Sequence, residues 1–332
     1  MTTLTAKAEA ARHPQREVMR RELVRLRYKK STIESYIGWV VDFAAYHHQR
    51  PELLNEEHIR QWLAHLAADL HVAYSTQHQA MCAVVCYYRE ILRRDLGDFG
   101  QFTLASKPAR LPVVVSQAKV MDILAEVQGE VNRLVCRLLY SSGLRINEAL
   151  DLRIQEVDFD RKTVLVRAPK NDHDRQTMLA EAIIPDLRAH LDRIRRQHAI
   201  DLADGFGRVS LPDALEKKYK SADRQTGWQW VFPAAKFSID PKDGVRKRFH
   251  IFDNTIQKAL AKAVAKVGVD QHFTPHCLRH CFGTHLYESG VDILKIKELM
   301  GHKDIATTMI YVHLARKPSE CIKSPLDISI AA

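Results

Sequence analysis

Thr274-Pro275-His276-Cys277-Leu278-Arg279-His280, then Met300-Gly301-His302, then Tyr311: this stretch, late in a chain of 332 residues, organises what precedes it. Thr274 suits a helix N-cap and Pro275 the first helical position. Helical periodicity then puts His276, Arg279, His280 and Gly283 on one side, and Leu278, Cys281, Phe282 and Leu286 on an apolar side. Gly290 is a natural stop. Asp292 is placed to cap a second helix, with Ile293, Ile296, Leu299 and Met300 inward. Gly301 ends that helix, and Asp304 caps a third, short one that carries Tyr311.

Two imidazoles, a guanidinium and a phenol suit attack by tyrosine on a phosphodiester. A phenol ionises near pH ~10, so it needs help to become a nucleophile at neutral pH. Phosphoryl transfer depends on positioning and on neutralising the non-bridging oxygens, for which arginine's planar fork is the natural clamp. Taken singly, a histidine or tyrosine on a helix is more often structural. His276, Cys277, His280 and Cys281 also suggest a metal cluster, but adjacent helical residues point about 100° apart. No metal is therefore expected, and with no carboxylate cluster beside these residues a metal nuclease is poorly supported.

His-x-Leu-Arg-His, followed by Gly-His and then Tyr, resembles the C-terminal signature of the tyrosine recombinase (phage integrase) family. It stands here as His276 to His280, Gly301-His302 and Tyr311. Upstream, Gly143-Leu144-Arg145-Ile146-Asn147-Glu148 resembles the family's first arginine box, with Glu148 as its acidic partner. The resemblance implies six catalytic residues. Tyr311 is the nucleophile, Arg145 and Arg279 the clamp on the phosphate oxygens, and His302 a further donor. His276 is base or orienter, and Lys170 the acid for the 5′ oxygen. Around Lys170 the chain departs from the family's usual Gly-Lys-Gly and reads Ala168-Pro169-Lys170-Asn171. The implied chemistry needs no cofactor.

Composition agrees with a polyanionic partner. Lys and Arg outnumber Asp and Glu by 50 to 40, the net charge is +10 and the pI near 9.3, which favours nucleic acid. A hydrophobic fraction of 46% suits a globular protein. The six cysteines include no Cys-x-x-Cys pair, so reduced thiols in a cytoplasmic protein are expected. No apolar run reaches membrane-spanning length.

In chain order, the fold expected is mainly α with a small antiparallel sheet (α+β). Residues 14–97 form a helical core-binding domain, 98–112 a linker and 113–332 the catalytic domain. Ser31 to Glu34 reads as a capping box and Asn55 as a cap. Ile59, Trp62, Leu63 and Leu66 read as a core stripe. Short strands are expected at 157–159, 163–167 and 176–179, with Lys170 on the second turn. From about 200 to 250 the pattern is irregular, with a short helix near Leu215 and a basic run from Lys242 to His250. Asn254 is expected to cap the next helix. The resemblance to tyrosine recombinases implies a two-domain C-shaped clamp that acts as a homo-tetramer on two DNA sites.

Segments within 200–250, notably Gly227-Trp228-Gln229-Trp230-Val231-Phe232-Pro233 and Val245 to His250, resemble the additional segment of integron integrases. Those enzymes recombine gene cassettes at attI duplexes and folded single-stranded attC sites. The likeness implies Trp228 and His250 as contacts to extrahelical bases, with Trp230 in the core. Three alternatives stay open. A Xer-type or phage integrase would act on duplex sites, a type IB topoisomerase would relax supercoils, and an inactive homologue would only bind DNA.

Overall fold

The computed structural model describes residues 15–96, 111–167, 174–211 and 221–315. The chain divides into two compact units that meet in sequence at residues 110 and 111.

The first unit is helical. It comprises α1 (Gln15–Arg25), α2 (Lys30–His47), α3 (Glu56–Ala68) and α4 (Tyr74–Cys86), the last continued by a π turn at Tyr87–Ile91. Asn55 caps α3, its Oδ1 accepting from the amides of Glu57 and His58. The predicted stripe of Ile59, Trp62, Leu63 and Leu66 is buried against Phe43, Ile37 and Tyr88. The capping box expected at Ser31 does not form. Lys29 is the N-cap, without a side-chain bond, and Ser31 falls inside α2. The apolar stripe from Ile33 sets where α2 packs, and the helix extends back from it until the chain turns.

In the second unit come α5 (Gln117–Glu126), α6 (Glu130–Ser142), α7 (Ile146–Leu150), β1 (Val157–Asp158), β2 (Thr163–Val166), β3 (Arg175–Met178) and α8 (Ile184–Ala203). A second hairpin, β4 (Pro233–Ile239) and β5 (Arg246–His250), precedes α9 (Asp253–Val267), α10 (Pro275–Glu288), α11 (Ile293–Met300) and α12 (Ile305–Leu314). Strands β1, β2 and β3 pair antiparallel in that order, Val164 opposite Thr177. The main core gathers Val120, Leu139, Leu150, Val164, Leu191, Leu260 and Leu278 from helices and sheet. A satellite core holds Phe282, Ile296, Met300 and Tyr311.

The hairpin β4–β5 corrects the irregular reading of this region. Asp243-Gly244 turns it, with Gly244 at φ +70°, and Asp-Gly between alternating strands is a strong hairpin signal. The cap expected at Asn254 is also displaced, since α9 starts at Asp253 with Phe252 as N-cap. Lys170, residues 98–110 of the linker expected at 98–112 and the helix expected near Leu215 lie outside the described residues. Among the described residues, no helix is long and apolar enough to cross a membrane.

Candidate active site

Arg145 is the N-cap of α7. Its amide donates to Glu148 Oε2 at 2.8 Å and its guanidinium to Glu148 Oε1 at 2.7 Å. Its side chain keeps 45% exposure while Glu148 keeps 17%, so the anchored carboxylate leaves the guanidinium free to face a ligand.

Arg279 lies the other way. It is 1% exposed on α10, whereas His276 on the same side of the helix is open to solvent. The guanidinium donates to the carbonyl of Gly143 and, at 2.5 Å, to that of Met300. It stands 3.8 Å from Glu148 Oε2. A buried charge needs such partners. Gly143 is required here: it ends α6 at φ +62°, and a Cβ would come within 2.4 Å of the Phe282 ring. Arg145 and Arg279 thus share one carboxylate. Burial would raise the pKa of Glu148, but bonds from Arg175 and Arg145 outweigh it and hold it at about 2.

Tyr311 on α12 is 1% exposed. Its hydroxyl lies 3.3 Å from Nδ1 of His280. Burial pushes the phenol up to about 12, against the opposing pull of Arg279 and Arg145. His302 follows the C-cap Gly301, and its Nδ1 lies 2.9 Å from Thr308 Oγ1. Its ring stacks near that of Tyr311, centroids 6.1 Å apart. Burial, then Arg279 and Arg145, brings His302 down to about 3. His280 is lowered to about 4 by burial and then by His276 and Arg279. His276 is exposed and meets the His280 ring edge-on at 4.5 Å. Loss of hydration and the two arginines hold its pKa below the ordinary value.

Arg145, Arg279, His276, His302 and Tyr311 therefore act electrostatically on one another in a single site. The histidines are poised neutral, able to accept a proton or donate from one nitrogen. Cys277 and Cys281 turn into the main core, away from the histidines. Among the described residues, no three or more metal-ligating side chains cluster.

The structure adds two residues that the sequence reading passed over. One is His280 as partner of the phenol. The other is Arg175, which holds Glu148 through both terminal nitrogens, at 3.0 and 2.6 Å. Strand alternation offered a signal for it, because Arg175, Thr177 and Leu179 share a face, and the latter two are 1% and 2% exposed.

Trp228 and His250 lie apart from this cluster. Trp228 is 9% exposed in a small core with Val209, Leu211, Ala222 and Trp230. Buried to this extent, it presents little surface for a base to stack on. Trp230 lies in the same core, beneath the Arg153 guanidinium. His250 is half-buried, with Nε2 3.1 Å from Asp151, the residue that ends α7. The open aromatic rings here are Phe249 and Phe252, 37% and 60% exposed, with centroids 6.3 Å apart.

Comparison with known proteins places the chain in a family. The profile of the "Phage integrase family" matches residues 114–317, and that of the "Phage integrase, N-terminal SAM-like domain" matches 16–98. An integrase/recombinase of Escherichia coli is 40% identical over 309 residues, covering 92% of this chain and 91% of the relative. Tyrosine recombinase XerD of Mycobacterium leprae is 32% identical over 247 residues, covering 70% and 67%. The fold is similar to that of the Tn1549 transposon integrase in complex with transposon right end DNA (TM-score 0.58, 16% identity, 98% and 100% covered). It is also similar to XerH bound to a palindromic difH substrate (TM-score 0.57, 18% identity, 87% and 78% covered). The matched profiles span both units and the Escherichia coli relative spans nearly the whole chain: it belongs to the phage integrase family of site-specific tyrosine recombinases.

Proposed function

We propose that this recombinase cuts and rejoins DNA through Tyr311. The phenolate oxygen attacks a backbone phosphorus, a 3′-phosphotyrosyl bond forms, and the bond to the 5′ oxygen breaks. Lys170 gives that oxygen its proton. Arg145 and Arg279 hold the non-bridging oxygens, His302 adds a donor, and His276 takes or orients the tyrosine proton, with His280 next to the phenol in the resting arrangement. The covalent bond conserves the energy of the ester, so a 5′ hydroxyl reseals it without a cofactor. The observation that carries this reading is the sharing of Glu148 by an open and a buried arginine, beside a phenol within bonding distance of a neutral imidazole.

For substrate, we propose gene cassettes exchanged between attI duplexes and folded attC strands, by a cytoplasmic homo-tetramer spanning two sites. Support comes from Phe249 and Phe252, which stand open beside the basic strand Arg246–His250. An unpaired base stacks on such a ring for ~1–3 kcal/mol, while arginines meet the backbone. The duplex reading is favoured instead by the relative named XerD.

Binding and cleavage of a folded strand with extrahelical bases, compared with the matching perfect duplex, separates the two. The cassette reading expects preference for the folded strand, lost in Phe249→Ala and Phe252→Ala. Equal or better use of the duplex, unaffected by these changes, would favour the Xer-type reading.

A further inference from the structure

Arg175 opens β3 and reaches two other elements at once. Its terminal nitrogens meet both carboxylate oxygens of Glu148, at 3.0 and 2.6 Å. Its Nε donates to the carbonyl of Leu299, 3.1 Å away in the last turn of α11. The side chain is 15% exposed, and it passes through space that exists because residue 301 is glycine. A Cβ there would lie 2.6 Å from Arg175 Cδ and 2.8 Å from Nε. Gly301 is also at φ +62°, where side chains are strained.

Each end of this staple leads to the chemistry. Glu148 is the carboxylate against which Arg145 is braced and which Arg279 approaches. The last turn of α11 sets Met300, whose carbonyl accepts from Arg279, and His302 just beyond. One guanidinium therefore ties the base of the phosphate clamp to the segment that presents His302. Lysine offers a point charge and cannot reproduce the fork.

We propose that Arg175 is a positioning residue for strand cleavage. It sets Glu148, and through it Arg145 and Arg279, in register with the His302 segment. This rests on the reading of Arg145 and Arg279 as the phosphate clamp. Arg175 acts on reactivity and not on DNA affinity, since its nitrogens are occupied inside the protein.

The test is single-turnover formation of the covalent complex at saturating nicked DNA, with binding measured separately. Arg175→Met should slow cleavage about 100-fold, the scale of a misplaced catalytic group, with DNA affinity within about threefold of wild type. Its acid limb should move to higher pH, because Glu148 loses two of its donors. Arg175→Lys, which keeps charge and bulk, should recover part of the rate. Gly301→Ala, which pushes on Arg175 from the other side, should reproduce the defect. The double variant Arg175→Met with Glu148→Gln should be no slower than the slower single variant, because both break one link.

Wild-type cleavage in Arg175→Met or Arg175→Lys would overturn the proposal, as would an unmoved acid limb or a matching loss of DNA affinity. Arg145→Lys, run in parallel, separates this from the reading beneath it. If Arg145→Lys cleaves normally, the clamp itself is wrong. If it is dead while Arg175→Met is normal, only the role of Arg175 fails.

Discussion

Nδ1 of His280 lies 3.3 Å from the hydroxyl of Tyr311, inside a pocket that leaves the phenol 1% exposed. A nucleophile so placed must leave its pocket to reach a DNA phosphate. His280→Ala removes a hydrogen bond to this hydroxyl, at a cost of about 1–2 kcal/mol in stability. It should raise nitration of Tyr311 several-fold above wild type in the absence of DNA. Unchanged nitration would mean that the contact does not hold the ring.

Gly283 gives a second handle on the same ring. An added Cβ would lie 2.8 Å from Tyr311 Cε2 and Cζ and 3.0 Å from Met300 Sδ. Helix propensity alone favours alanine by ~1 kcal/mol. Overpacking opposes it by ~1–3 kcal/mol. Gly283→Ala should therefore lower the unfolding midpoint in urea and expose Tyr311. A stabilised protein would contradict the packing.

Acid should unfold the second unit in two stages. His280 and His302 have folded pKa values of about 4 and about 3, below the ordinary histidine value. The unfolded chain takes up these protons first, so stability is complete above ~6.5 and falls as pH drops. The loss by pH ~5 is on the order of 1–2 kcal/mol per histidine. Glu148, depressed to about 2, stabilises fully above its unfolded value and loses that contribution as pH falls towards 2. Urea titrations from pH 7.5 to 5 should show a shallower decline in His302→Gln than in wild type.

Asn55 Oδ1 accepts from two amides at the start of α3, at 3.1 and 3.3 Å. Asn55→Ala should cost about 1 kcal/mol of first-unit stability, and Asn55→Asp much less. Thermal unfolding of both variants checks this.

Much of this was legible because its physics is local. The caps at Asn55 and Asp292, the stripe of α3, the sequence from Gly143 to Glu148 and the glycine before His302 each declare themselves within a few residues. What escaped depends on distant partners. Arg279 falls opposite the apolar side of its helix by periodicity, yet carbonyls from Gly143 and Met300 make its burial possible. Arg175 shares a strand face with Thr177 and Leu179, but its partners Glu148 and Leu299 lie far from it in sequence. Trp228 sits in a small core whose other members lie up to 19 residues before it. The β4–β5 hairpin carries a local signal in Asp243-Gly244, but the basic run on β5 masks the strand alternation.

The most direct measurement is covalent capture on a nicked suicide substrate, comparing wild type with Tyr311→Phe in the presence of EDTA. The account predicts a protein–DNA adduct from wild type, mapped to the residue 311 peptide, and none from Tyr311→Phe despite normal DNA binding. An adduct that persists in Tyr311→Phe, or one abolished by EDTA, would contradict it.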